Sequence, residues 1–235
     1  MTSLQLGLVH APVMPFGREQ RIDFDVFAKL IDFHQRHGAD ALALPMHAAE
    51  SVSLPDPEKR AVVEFAVKHA KVPVIAHVSE AGSELAAALA RHAEAAGAAA
   101  VVATTPYYWT PPATMVLEHF AIIGAAVKIP LFVHNAPDDM AGSKVTAELM
   151  AKLIRRLCDA CRAGNLFEAR AAQEEVASLR QAMKPGGAPH LKAALRAMGR
   201  DCGDPRPPLL ALEAVAAKAL ADTLGRSLAA EPRGW

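Results

Sequence analysis

The stretch VPVIAHVSEAGSELAAALARHAEAAGAAAVVAT, residues 72–104, determines how the rest of the sequence is interpreted. It opens with an apolar, β-branched run, Val72 to Val78, and closes with another, Ala99 to Thr104. Between them, Ser83 to Ala96 has helical periodicity and stops at Gly97, a residue suited to a helix C-terminus. Both strand-like runs are continuously apolar, as strands buried on both faces are. The stretch therefore predicts a strand, a helix and a second, parallel strand.

The same alternation extends through residues 1–157. Its rhythm is about 30 residues per unit, which is what a barrel of roughly 250 residues divided by eight requires. Further strands are predicted at Leu6–Val13, Ala41–Met46 and Pro130–His134, and further helices at Phe24–His37, Asp56–Ala70, Thr114–Val127 and Thr146–Leu157. We therefore predict the α/β class and a TIM (β/α)8-type barrel, with βα units one to five in residues 1–157.

Beyond residue 157 the alternation stops. Helices are predicted at Ala163–Met183, Leu191–Met198 and Leu209–Leu228, and we find no further strand-like run. Residues 158–235 are therefore predicted to form a helical C-terminal region. On this interpretation strands six to eight of the barrel are missing from the chain.

The composition favours a small-molecule ligand over a macromolecular one. The chain has 235 residues, of which 52% are hydrophobic, enough for one large domain or two small ones. Its 25 basic residues balance its 25 acidic residues, so nothing in the net charge indicates nucleic acid or a membrane surface. Three cysteines indicate a reducing compartment. With no signal-peptide pattern and no apolar run of about 18 residues, we expect a cytoplasmic protein.

In βα barrels the functional site forms at the C-terminal ends of the strands. At those positions this sequence has Met14-Pro15-Phe16, Met46 to Glu50, His77-Val78-Ser79, Thr105 to Tyr108, and His134 to Pro137. Imidazoles and phenols are competent for proton transfer near neutral pH when their pKa values are tuned. A proton-transfer site is therefore predicted at this end of the barrel.

These strand ends resemble the dihydrodipicolinate synthase / N-acetylneuraminate lyase family. Pro106-Tyr107-Tyr108 matches the family's Pro-Tyr-Tyr after strand four, and His134-Asn135-Ala136-Pro137 is similar to its Tyr-Asn-x-Pro after strand five. Met14-Pro15-Phe16 resembles Thr-Pro-Phe after strand one. Met46 to Glu50 aligns with Gly-Thr-Thr-Gly-Glu and keeps only the glutamate. Arg206-Pro207-Pro208-Leu209 resembles the Arg-x-Pro-Leu before the last helix. Together, in this order and spacing, the motifs are specific.

The resemblance implies a lyase or aldolase acting on pyruvate or another 2-oxo acid through a lysine Schiff base, with no cofactor. It assigns three catalytic candidates. Tyr108 matches a tyrosine that completes a neighbouring subunit's site, which implies a homodimer or homotetramer. His134 stands where a second relay tyrosine would be, and His47 where the relay threonine would be.

Four further residues are candidates for substrate binding: Ala48, Asn135, His77 and Asp139. Ala48 stands where the resemblance places a threonine whose hydroxyl contacts the keto-acid carboxylate. Asp139 falls near the arginine that grips the second substrate in the synthase. An acid there would repel a carboxylate, which argues against the synthesis of dihydrodipicolinate itself. Asn135 is expected to shape the turn after strand five.

The family's Schiff-base lysine has no counterpart in this sequence. The helix ending near Leu157 runs directly into Cys158 to Asn165, which resembles the family's helical tail rather than its sixth strand. Roughly 60–90 residues, the size of two to three βα units, are missing at this point. Either the gene encodes a segment that this chain lacks, or the chain carries a true internal deletion.

Other interpretations stay open. A relative that has lost its chemistry could bind a 2-oxo acid or act as a scaffold. The strand-end histidines could instead be structural, as could Tyr107, or bind a metal, although the pattern predicts no metal site. Lys144 is the only substitute nucleophile on the correct face, while Lys59 and Lys192 are interpreted as helix-surface residues. Cys158 and Cys161 are interpreted as structural.

Overall fold

The computed structural model describes residues 7–107, 113–134 and 187–227. The described strands are β1 (Val9–His10), β2 (Ala41–Leu44), β3 (Val74–His77), β4 (Ala100–Thr104) and β5 (Leu131–His134). The helices are α1 (Phe24–Arg36), α2 (Asp56–His69), α3 (Ser83–Ala96), α4 (Ala113–Ala125), α5 (Ala188–Ala197) and α6 (Ala214–Ser227). Two short 3-10 turns, His47–Ala49 and Ser51–Ser53, follow β2. The helices predicted at Thr146–Leu157 and Ala163–Met183 lie outside the described residues.

The strands form one parallel sheet in the order β1-β2-β3-β4-β5. Strands that are consecutive in sequence are therefore neighbours in space, and a helix connects each pair, as in a (β/α)8 barrel. Gly97 ends α3 in the left-handed conformation, with φ +95°, as the sequence predicted. The predicted alternation of strands and helices is confirmed for the first four βα units and for the fifth strand.

Two predicted elements are shorter in the structure than in the sequence pattern. The first strand, predicted at Leu6–Val13, pairs with β2 only over Val9–His10. At its start, the Asp40 carboxylate rather than a backbone carbonyl accepts the Leu8 N–H at 2.6 Å, and beyond its end Pro12 has no N–H to donate. The last helix, predicted from Leu209, begins at Ala214 because the preceding segment turns back on itself, with the Leu209 N–H bonded to the Arg206 carbonyl.

Side chains alternate between the two faces of the sheet. One set packs under the helices in the main core and includes Leu42, Leu44, Ala76, Val101 and Ala103. The other set, on the face that a barrel encloses, forms a separate small cluster of Ala41, Ala43, Ile75, Ala100 and Val102. This period of two explains why β2, β3 and β4 are almost entirely apolar, since both of their faces are buried.

The C-terminal helices are anchored to the loops that follow β1 and β2. Lys192 of α5 is 2% exposed, and its amine lies 2.8 Å from the carboxylate of Glu50, which is equally buried. The other Glu50 oxygen accepts the backbone N–H of Arg206 at 2.7 Å. Burial lowers the pKa of Lys192, and Glu50 acts in the opposite direction. The prediction that Lys192 lies on a helix surface is therefore wrong, because α5 packs that face against the turn after β2.

Phe16 lies between the two cations of this anchor. The Lys192 amine and the Arg206 guanidinium are each 4.2 Å from the centre of its ring. Arg206 also donates to both carboxylate oxygens of Glu58, from Nη1 at 2.5 Å and from Nη2 at 2.9 Å. A backbone hydrogen bond joins the same two segments: the Phe16 N–H donates to the Cys202 carbonyl at 3.1 Å. The segment that precedes α6 is thus fixed to the first two βα units.

Gly203 makes a close backbone approach at this anchor, and we expect Gly203→Ala to be destabilising. Its φ is +71°, and a Cβ there would lie 1.9 Å from the Phe16 carbonyl oxygen. The left-handed conformation alone costs an alanine about 1–2 kcal/mol, before the clash is added. Urea denaturation measures the loss. The control is Gly82→Ala, where φ is −96° and a Cβ comes no closer than 3.4 Å to the Leu85 side chain. Equal midpoints for the two variants would contradict the prediction.

Lys192→Met should destabilise the protein by about 3–5 kcal/mol, since it leaves the Glu50 charge buried without its counter-ion. The matched control is Lys218→Met, whose 77%-exposed side chain pairs with Asp222 one turn away on α6. Exposed pairs of this kind contribute less than about 1 kcal/mol. Combining Lys192→Met with Glu50→Gln should recover part of the loss. The buried pair would have no such role if the two Lys→Met variants unfolded at the same denaturant concentration.

Candidate active site at the strand ends

The parallel sheet brings the C-terminal ends of its strands to one edge. Thr104, at the end of β4, is in register with His134 at the end of β5. His77 ends β3, and His47 begins the 3-10 turn after β2. Because β2 to β5 run parallel in one sheet, their C-terminal ends lie at the same edge, and the three imidazoles share it. His47 is exposed and His134 is half-buried.

The remaining predicted site residues are only partly described. Ala48 is half-buried in the 3-10 turn and packs against the main core. Tyr108, Asn135 and Asp139 lie outside the described residues, as do Lys144, Cys158 and Cys161. Their roles stay predictions. Tyr107 is described and half-buried.

His77 is part of a hydrogen-bonded chain that crosses the sheet. Its Nε2 lies 2.7 Å from the Ser79 hydroxyl, and that hydroxyl accepts the Thr104 N–H at 2.8 Å. Because the oxygen already accepts one bond, we assign its proton to the contact with Nε2. Burial, followed by the charges of His134 and Lys59, lowers the pKa of His77 to about 3, while a hydrogen bond with the Pro45 backbone opposes the shift. His77 is therefore a neutral link between β3 and β4, and its substrate contact stays a prediction.

A second chain passes through Glu80, which sequence reasoning did not identify. The Lys59 amine of α2 binds one of its carboxylate oxygens, and the Tyr107 hydroxyl donates to the other at 3.1 Å. The Lys59 side chain is only 10% exposed, so the prediction that it lies on a helix surface is wrong. Burial first, and then the Glu80 charge, raises the pKa of Tyr107 to about 12, so its hydroxyl stays protonated.

The strand ends thus offer imidazoles and a phenol in separate roles. His47 and His134 border the edge, whereas His77 and Tyr107 are held by internal hydrogen bonds. Such groups can bind an anionic substrate and pass protons to and from it. Among the described residues, no group of three or more His, Cys, Asp or Glu side chains is arranged to hold a metal ion.

Comparison with known protein families identifies the family of this chain. The model of the Dihydrodipicolinate synthetase family matches residues 4–144 and 140–227, which together make up most of the chain. The chain belongs to this family. The two matched blocks meet at residues 140–144, somewhat before the predicted boundary at residue 157. The resemblance recognised in the strand-end motifs is thereby confirmed.

Curated relatives of this family member are similar over roughly three fifths of its length. A 4-hydroxy-tetrahydrodipicolinate synthase of Caldicellulosiruptor saccharolyticus is 34% identical over 145 residues, which cover 61% of this chain and 49% of the relative. The synthase of Pseudomonas aeruginosa is 33% identical over 153 residues, 64% of this chain and 51% of the relative. The chain therefore spans about half the length of the curated relatives it matches.

Solved structures agree on the fold. Dihydrodipicolinate synthase from Aquifex aeolicus has a TM-score of 0.85 at 22% identity, covering 94% of this chain and 98% of that one. YagE, a prophage protein of the same family from E. coli K12 in complex with pyruvate, has a TM-score of 0.87 at 19% identity, covering 95% and 99%. The described sheet and helices are thus part of a TIM-barrel-type fold. In the described ranges, no helix combines the length and apolar character that a bilayer-spanning segment needs.

The low pKa of His77 predicts a loss of stability in acid. On unfolding, His77 regains its ordinary value of 6.5, so between pH 6.5 and about 3 the unfolded chain binds one more proton than the folded chain. This contribution is fully present above pH 6.5 and falls by about 1.4 kcal/mol per pH unit below it. Urea denaturation from pH 7 to 5 should show a shallower slope for His77→Gln. His69→Gln, at an exposed position, is the control; equal slopes for both variants would refute the assignment.

Proposed function

We propose that this protein is a carbon–carbon lyase or aldolase that acts on pyruvate or another 2-oxo acid through a lysine Schiff base. The observation that carries the proposal is the placement of His47, His77 and His134 at the C-terminal edge of a parallel sheet. The family supplies the class of reaction. Relatives are named 4-hydroxy-tetrahydrodipicolinate synthase, and structural neighbours have been solved with pyruvate.

In the proposed chemistry a neutral lysine amine attacks the C2 carbonyl of the keto acid, and the carbinolamine loses water to give an imine. The protonated imine withdraws electrons while a C–C bond is made or broken. His134 and Tyr108 would move the protons that these steps require, and His47 would orient them or the substrate carboxylate. Asn135, Ala48 and Asp139 would shape the binding site. Ala48 offers no hydroxyl, and the charge of Asp139 disfavours a second carboxylate substrate.

The nucleophile is not among the buried lysines of the described residues. The amine of Lys59 is bound by Glu80 and that of Lys192 by Glu50, so neither is free to meet a substrate at the strand ends. Lys144, or a lysine on a strand-six segment absent from this chain, would have to act. This observation also favours the second candidate, a relative that binds 2-oxo acids or serves as a scaffold without turnover. For either function we propose a cytoplasmic homodimer or homotetramer with no cofactor.

Borohydride trapping tests the first candidate directly. Incubation of the purified chain with pyruvate and sodium borohydride should add the mass of one reduced pyruvate, and peptide mapping should locate it on one lysine. Lys144→Ala abolishes the adduct if that residue is the nucleophile, whereas Lys152→Ala, the next lysine along the chain, is the matched control. His134→Phe should slow turnover by about 100- to 10,000-fold. Pyruvate binding in calorimetry without any adduct would instead establish the second candidate.

A further inference from the structure

One carboxylate ties together three successive βα units beside the candidate site. Glu80 lies in the loop after β3, Lys59 in the first turns of α2, and Tyr107 in the loop after β4. The Lys59 amine binds Oε1 of Glu80, and the Tyr107 hydroxyl donates to Oε2 at 3.1 Å. The side chains of Lys59 and Glu80 are 10% and 18% exposed. Water therefore has little access to the contact, and neither partner is easily replaced.

The three groups depend on each other in a fixed order. Lys59 is the counter-ion of the half-enclosed Glu80 and holds its carboxylate in place. An ionised carboxylate is a stronger acceptor than a neutral one, so the bond from the Tyr107 hydroxyl is charge-assisted. The raised pKa of Tyr107 has the same origin, since burial and the Glu80 charge both disfavour the phenolate. Removing Glu80 therefore removes the acceptor of the Tyr107 hydroxyl, and removing Lys59 removes the contact that holds this acceptor in place.

Tyr107 is the residue directly before Tyr108, the catalytic candidate of the Pro-Tyr-Tyr motif. A side chain anchored at one residue restricts the backbone of the next. We propose that Glu80 is a positioning residue for Tyr108: together with Lys59 it holds Tyr107, and this contact fixes the backbone from which the motif continues. The inference rests on the proposed function for its effect on turnover, but the positional coupling is measurable without it.

The chain has only two tyrosines, Tyr107 and Tyr108, so 3-fluorotyrosine labelling gives two fluorine NMR signals. The variant Tyr108→Phe assigns the Tyr107 signal, and the other signal belongs to Tyr108. In Glu80→Gln we expect both signals to shift, and the titration midpoint of Tyr107 to fall. Tyr107→Phe leaves the Lys59–Glu80 pair intact and should also shift the Tyr108 signal. If Glu80→Gln does not fold, Tyr107→Phe alone tests whether the contact made by Tyr107 affects Tyr108.

Glu84→Gln is the matched control, because Glu84 lies in the first turn of α3, its side chain is 79% exposed, and it forms a long ion pair with Arg91 at 3.8 Å. It should move neither signal. Where turnover of a 2-oxo acid is measurable, Glu80→Gln and Tyr107→Phe should each lower kcat by about 10- to 100-fold with KM nearly unchanged. An unshifted Tyr108 signal in Tyr107→Phe overturns the inference. If the wild type turns over no 2-oxo acid, the proposed function fails and the spectra alone decide.

Discussion

The buried carboxylate of Glu50 connects the two parts of this molecule. Lys192 approaches it from α5, and the backbone N–H of Arg206 approaches from the segment before α6. Burying two charges is costly, and the cost is offset only when their remaining hydrogen-bonding capacity is used. Here the Lys192 amine also donates to the Asp204 carbonyl at 3.1 Å and lies over the Phe16 ring. The interaction is therefore specific to one arrangement of these segments.

The same residue shapes the candidate site. Glu50 has φ +56° and ends the 3-10 turn that begins at His47. A non-glycine residue keeps this left-handed conformation only where its surroundings hold it. Lys192 and Arg206 hold the Glu50 side chain, so the path of the His47–Ala49 turn depends on the C-terminal helices. A helix distant in sequence thus helps to place an imidazole at the strand ends.

The sequence predicts the repeated strands and helices because a strand that is buried on both faces is an unbroken run of mostly apolar residues, as in β4. It also predicts which edge of the sheet bears His47, His77 and His134. Each of them lies at or just after the C-terminal end of a strand, and in a parallel sheet these ends share one edge. It does not predict that Lys59 and Lys192 are buried. Their helical spacing is that of surface residues, and their partners, Glu80 and Glu50, lie in loops that only the tertiary structure brings near. For the same reason, the sequence predicts His77 as a substrate contact. Nothing in the sequence indicates that Ser79 and Thr104 hold its ring in a hydrogen-bonded chain.

Among the described residues, α5 and the segment before α6 contact the beginning of the barrel, at the loops after β1 and β2. The bond from Arg206 to Glu50 joins residues 156 positions apart, and the bond from Arg206 to Gln20 joins residues 186 positions apart. Contacts between residues so far apart in sequence form only after a large loss of chain entropy, so they form more slowly than local contacts. The docking of α5 onto the turn after β2 is therefore expected to follow the formation of the individual βα units during folding.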